Sequence, residues 1–222
     1  MIDLSDQQPF ASGDNRHCYR HPNIPDRCLK IIRPENIEAR YQRQATPKKL
    51  LGKSRLNDNK QELAAHRQNA ILALINQGHE STVWRHLPKF YGETATSLGP
   101  ANESELLFDV NGNPAQTLEL YLTQHGFDAR INAAAERLCE WLGSTGILTR
   151  NLLPHNLVIS QRDNQPELVL VDGLGAPPVP SGLSIIPAWR RRYINRRILR
   201  FYKRIEWETG SKEKSWGESQ RL

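Results

Sequence analysis

No stretch of the 222 residues holds the roughly 18 consecutive apolar residues that a membrane-spanning helix needs. The opening MIDLSDQQPF has neither the basic n-region nor the apolar h-region of a secretory signal. The sequence therefore predicts a cytoplasmic protein. Cysteine is scarce. Cys18, Cys28 and Cys139 are an odd set without CxxC or Cys/His spacing, so they support neither a disulfide framework nor a zinc site and read as small buried hydrophobes. Acidic residues are missing from 189–205, which carries eight arginines and lysines. Removing those eight from the net charge of +6 leaves −2, so the basicity belongs to one element rather than to the whole chain. With 38% hydrophobic residues, a chain of this length can bury a core and is not of disordered composition.

What is present is organised around residues 149–175, TRNLLPHNLVIS followed by QRDNQPELVLVDGLG. Two apolar ladders, Leu157 to Ile159 and Leu168 to Val171, predict paired strands, with Asn156 just before the first and Asp172 just after the second. An amide and a carboxylate at neighbouring strand ends can converge on a hard cation such as Mg²⁺, which takes oxygen ligands. The stretch is a candidate metal-phosphate floor.

Upstream, 9–19 and 27–32 read as short strands joined by the turn HPNIPD. In RCLKII the period of two puts Cys28, Lys30 and Ile32 on one face and Leu29 and Ile31 on the other. On this stretch alone Lys30 reads as an edge-strand lysine reaching water, with an anion partner as the alternative. Residues 33–55 read as a polar connector, and a helix is expected from Asn57 until Gly78, with Glu62 in its first turns. Strands are expected over 86–96 and 104–110, the second followed by the turn NGNP. Helices are expected over 117–126 and 129–143, the latter ending at Gly143 or Gly146. The fold class is α+β with two unequal lobes.

The series Lys30 in a strand, Glu62 in the next helix, a strand pair, a helical hairpin, TRNLLPHN and VDGLG resembles the protein kinase fold. More narrowly, HLPKFYGETATSLG, VNGNPAQTLELYL, the 149–156 loop and WRRRYINRR resemble the YrbL family, bacterial proteins linked to the PhoP regulatory network. The similarity covers about 9–204. It implies one kinase-like domain over 1–222, with a β-rich lobe to about 113 and a reduced, mostly helical lobe to about 187. A basic amphipathic helix would follow over about 188–207, then a disordered C-terminus over about 208–222.

Carried over residue by residue, the resemblance implies ATP and Mg as ligands. Lys30 would meet the phosphates, Glu62 would orient Lys30, Asn156 and Asp172 would hold metal, and Ser12 and Gly13 would lie in the phosphate-covering turn. The departures are equally specific. Asn151 stands where the kinase loop has its catalytic aspartate, and an amide can orient a hydroxyl but cannot accept its proton. Leu153 replaces a frequent lysine, Thr149 replaces the opening histidine, and ASGDN keeps a single glycine. His155, the nearest replacement base, should face away from Asn156, and His17 and His125 have no context that places them. Only some fifty residues follow Asp172, and the proline-rich 176–187 makes a stiff connector, so any acceptor is better read as a small molecule than as a peptide.

These features point to a monomeric nucleotide- and Mg-binding pseudokinase with weak or absent phosphotransfer. An active phosphotransferase on a small molecule or protein is the first alternative. The second is a non-enzymatic binding module whose basic helix engages a protein partner, RNA or an anionic membrane surface. In that helix Ile194, Ile198, Phe201 and Ile205 form the inward face, with Arg191, Arg192, Arg196, Arg200 and Lys203 elsewhere.

Overall fold

The structure is a computed structural model that describes residues 1–13, 15–43, 52, 56–177, 183–212 and 215–219. Two compact units divide the chain: Met1–Arg67 with Lys89–Leu106, and Gln68–Pro88 with Leu107–Leu222.

The first unit is built on a five-stranded antiparallel sheet of β1 (Ala11–Ser12), β2 (Arg16–Arg20), β3 (Arg27–Ile32), β4 (Phe90–Thr96) and β5 (Gly99–Glu105). Its order is β1-β2-β3-β5-β4, so β3 is the central strand. Both faces of β3 are covered. Leu29 and Ile31 pack with Leu4, Tyr19 and Ala101, while Cys28 and Lys30 are buried on the other side. Strand β5 begins earlier than the expected 104–110. Its sequence GPANESE has no apolar alternation to reveal it, and its inward side chains, among them Asn102 and Ser104, are polar.

Helix α1 (Pro34–Gln42) replaces part of the expected connector; Pro34 sits in its first turn, where a missing N–H costs nothing. The rest of that connector lies largely outside the described residues. Helix α2 (Asp58–His66) is capped by Asn57, whose Oδ1 accepts from Lys60 N at 3.0 Å. It turns Asn59, Glu62 and Ala65 inward, a polar face that hydrophobic periodicity does not show.

The single helix expected to run on to Gly78 breaks after His66. Helix α3 (Asn69–Asn76) belongs to the second unit, as does α4 (Glu80–Trp84). The break is held by Gln68, whose Oε1 accepts from Leu148 N at 2.7 Å, and by Trp141 Nε1, which donates to Thr82 O at 2.6 Å. Residues 68–88 are thereby tied to the rest of the second unit. The first unit ends at Leu106 rather than near 113.

In the second unit α5 (Leu118–His125) starts at the cap Thr117 and stops at Gly126. Helix α6 (Ala129–Thr145) is capped by Asp128 and ends at Gly146, whose φ of 66° is the left-handed conformation glycine favours. Its stripe of Ile131, Ala134, Ala135, Leu138 and Leu142 is fully buried. Strands β6 (Leu157–Arg162) and β7 (Gln165–Leu170) form a separate hairpin turning at Asp163 and Asn164, both with positive φ. Val158 and Val169 pack with Leu107.

Helix α7 (Pro187–Thr209) packs on α5 and α6, burying Tyr193, Ile194, Phe201 and Ile205, with Ile198 half-buried. After α7, α8 (Trp216–Ser219) places the Trp216 ring centroid 6.1 Å from that of Trp207, with the Arg204 guanidinium over both rings, and residues 213, 214 and 220–222 of the expected disordered C-terminus lie outside the described residues. No helix among the described residues is long and apolar enough to cross a membrane.

Candidate functional site

The first unit gathers its charge at one place on the sheet. Lys30 stands opposite Cys18 of β2 and Asn102 of β5, and its side chain is 6% exposed. The lysine therefore does not reach water at an edge, because β3 is flanked on both sides. Lys30 Nζ donates to Glu62 Oε1 at 2.6 Å, and Arg16 Nη1 donates to Glu62 Oε2 at 2.6 Å. Asn102 Nδ2 donates to the same Oε2 at 3.0 Å, while Asn59 Nδ2 donates to Lys30 O at 2.8 Å. Burial opposes ionisation of Glu62, but the Lys30 and Arg16 charges overcome it and hold the carboxyl far below the usual carboxylate range. Two buried cations share one carboxylate.

The expected Lys30 to Glu62 pairing is thus present, and Arg16, Asn59 and Asn102 join it without having been assigned to the site from sequence. Arg16 could have been found by alternation, since it lies two residues before Cys18 on the Lys30 face. Ser12 lies in exposed β1, its Oγ 2.8 Å from His17 Nδ1. Gly13 N donates to Arg16 O at 2.9 Å, and a Cβ there would meet nothing closer than 3.9 Å, so crowding does not require glycine.

The second unit builds its part around Gly173. The Gly173 carbonyl accepts from Arg150 N at 2.7 Å, Asn151 N at 3.2 Å and Thr149 Oγ1 at 2.9 Å. Its own N–H donates to Asp172 Oδ1 at 2.6 Å. At φ 80° a Cβ on residue 173 would lie 2.7 Å from Asn151 O. Only glycine lets the Asp172 strand end approach the loop so closely. Asn156 is buried, and its Nδ2 donates to Asn151 O at 3.0 Å while its backbone carbonyl accepts from Val171 N at 2.9 Å. Tyr193 of α7 fixes the loop from below by donating to Thr149 O at 3.0 Å.

Asn156 and Asp172 are therefore brought to neighbouring strand ends, the amide buried and the carboxylate exposed. The Asn151 side chain is exposed. His155 is exposed and faces Glu119 at 3.6 Å, away from the buried Asn156. Among the described residues no group of three or more His, Cys, Asp and Glu side chains could hold a metal. A metal at Asn156 and Asp172 would take an amide and a carboxylate oxygen from the protein and its other oxygens from elsewhere, a donor set that fits Mg²⁺.

A five-stranded antiparallel sheet whose central lysine pairs with a helix glutamate, and a helical unit bearing Asn156 and Asp172 at neighbouring strand ends, are features that the resemblance to the protein kinase fold implies. The chain belongs to the family described as PhoP regulatory network protein YrbL, whose profile matches residues 2–209. Two relatives described as uncharacterized protein YrbL, from Escherichia coli (strain K12) and Shigella flexneri, are each 26% identical over 210 residues, covering 92% of this chain and 86% of theirs. Among solved structures, a doubly substituted variant of the Mycobacterium tuberculosis PknI kinase domain aligns at 14% identity with a TM-score of 0.41. That alignment covers 78% of this chain, which spans 60% of the kinase domain's length. A second variant of the domain gives 14% and 0.39 over 78% and 60%.

Proposed function

We propose that this chain is a nucleotide- and Mg-binding regulatory protein of the PhoP-linked network, a pseudokinase with weak or absent phosphotransfer. The observation that carries the reading is the buried Lys30 and Glu62 pair at 2.6 Å, standing in the same chain as an exposed Asn151 at the base position. The pair fits a role in positioning a phosphate-binding cation, since a lysine is a point charge whose rotamer a glutamate can fix. Asn156 and Asp172 supply the oxygens for Mg²⁺, which would neutralise charge on the nucleotide phosphates. Asn151 can orient an acceptor hydroxyl but cannot take its proton, which removes general-base catalysis at that position.

A second reading is favoured by α7. Arg191, Arg192, Arg196 and Lys203 are exposed, as is Leu199. That face supports a binding module acting through an acidic partner, with or without nucleotide.

Thermal melting of the full chain with and without ATP and Mg²⁺ tests the reading. Ligand at 100 times its Kd adds about 2.7 kcal/mol, or roughly 5–10 °C for a chain of this size. The shift should depend on Mg²⁺ and shrink in Asp172→Ala. No shift in the wild type would remove the nucleotide reading and leave the binding module.

A further inference from the structure

Helix α7 buries one face and leaves the opposite one exposed. Tyr193, Ile194, Phe201 and Ile205 hold it against α5 and α6. On the other side Arg192, Arg196, Leu199 and Lys203 follow one another at i, i+4, i+7 and i+11 in a single exposed stripe, with exposed Arg191 at its flank. From Arg192 to Lys203 the stripe runs about 16 Å along the helix. Among the described residues none of these four cations pairs with a carboxylate, whereas half-buried Arg204 on the same helix pairs with both Glu119 and Glu208.

Large aliphatic side chains stand among the charges. Leu199, inside the stripe, is 60% exposed, and Ile185 and Ile186, immediately before the helix begins at Pro187, are 63% and 47% exposed. A phosphodiester backbone gains nothing from such groups. An anionic lipid surface takes cations at its headgroups and aliphatic side chains at the boundary with the acyl chains. No aromatic ring of α7 is exposed for nucleic-acid bases to stack on. Tyr193 and Phe201 are buried, Trp189 stacks on Tyr193 with centroids 5.2 Å apart, and Trp207 lies against Trp216.

We propose that the exposed face of α7, with Ile185 and Ile186 at its start, is a docking surface for anionic phospholipid headgroups, on which the helix lies along the membrane plane. The apolar face of α7 is already occupied by α5 and α6, so the helix rests on the membrane instead of sinking into it, and the cations supply most of the attraction. Each Lys or Arg close to such a surface contributes on the order of fivefold to binding, and the attraction falls off within a Debye length of about 10 Å at 0.1 M salt. This docking names the partner for the reading of α7 as a face for an acidic partner and rests on that reading; it does not depend on nucleotide binding.

Co-sedimentation of the full chain with vesicles tests the proposal. The chain should bind vesicles of equal parts phosphatidylglycerol and phosphatidylcholine, bind phosphatidylcholine alone far more weakly, and be released at about 1 M salt. The triple variant Arg192→Glu, Arg196→Glu, Lys203→Glu should bind the anionic vesicles on the order of 100-fold more weakly, or worse. A second triple variant, Arg20→Glu, Lys60→Glu, Lys89→Glu, makes the same change in net charge, 6 − 3 × 2 = 0, at exposed positions outside α7 and should bind as the wild type does. Leu199→Ser leaves every charge in place and should weaken binding roughly threefold or more, because an aliphatic contact is lost. Equal binding to the two kinds of vesicle, equal loss in the two triple variants, or wild-type binding by Leu199→Ser would each overturn the lipid assignment. Poly-glutamate and single-stranded RNA in place of vesicles separate it from the broader reading. Either polymer bound through Arg192, Arg196 and Lys203, with no preference for anionic vesicles, overturns lipid docking and leaves α7 a face for an acidic partner. Binding to none of the three removes both.

Discussion

Replacing Glu62 with glutamine keeps the side chain's shape and removes the carboxylate charge that Lys30 and Arg16 share. In the native arrangement Glu62 accepts from Lys30 and from Arg16, both at 2.6 Å, and all three side chains are at most 10% exposed. Removing one partner from such a buried ion network costs about 3–5 kcal/mol, because desolvation of the remaining charges is no longer offset. For a chain of this length that corresponds to a fall in Tm of roughly 6–20 °C. The effect has a pH signature. The folded-state pKa of Glu62 lies below its ordinary value of 4.5, so its stabilisation is fully present above that value. It is lost as pH falls through the lower folded-state value, and the two proteins' stabilities should converge on acidification. Urea unfolding at a series of pH values measures both features. Combining Glu62→Gln with Arg16→Met should cost less than the sum of the single changes, since both changes remove the same Arg16 to Glu62 ion pair. A loss under 1 kcal/mol at neutral pH would show that the Arg16, Lys30 and Glu62 network is not a buried one.

Gly173→Ala should destabilise the chain by roughly 2 kcal/mol or more, since it adds left-handed backbone strain and places a Cβ 2.7 Å from Asn151 O; thermal melting reads the loss. Phe201→Ala removes a fully buried ring from α7 and should cost about 3–5 kcal/mol by urea titration, whereas Leu199→Ala on the exposed face should stay within about 0.5 kcal/mol. Burial holds both His66 and His86 at a pKa of about 4, below the ordinary 6.5. The unfolded chain therefore binds more protons in that window, and stability should fall as pH drops from 6.5 toward 4, by up to about 3 kcal/mol per histidine. Denaturant midpoints across that range check the sign.

The second unit was the more legible part of the fold. Its caps at Thr117 and Asp128, the glycine stops at 126 and 146 and the stripe from Ile131 to Leu142 are local signals, and helices are local structures. The β6–β7 hairpin was equally open, because apolar ladders bounded by turn residues leave few alternatives. The first unit hid its site because its inward faces are polar. Asn59, Glu62 and Asn102 are buried by pairing with one another and with Lys30 and Arg16, and no hydrophobic period marks such residues. Lys30 misread as an edge lysine has the same origin, since strand order is set by long-range pairing of β3 with β2 and β5. The break between α2 and α3 likewise depends on Gln68 bonding a backbone 80 residues away.

Equilibrium dialysis of γ-labelled ATP with Mg²⁺ against the purified chain, followed by analysis of where the label resides, tests the central reading most directly. Wild-type protein should retain ATP, Asp172→Ala should retain much less, and the retained nucleotide should still carry its γ-phosphate. Dialysis that leaves no more ATP with the protein than with buffer would contradict nucleotide binding, and rapid release or transfer of the label by the wild type would contradict the loss of phosphotransfer at Asn151.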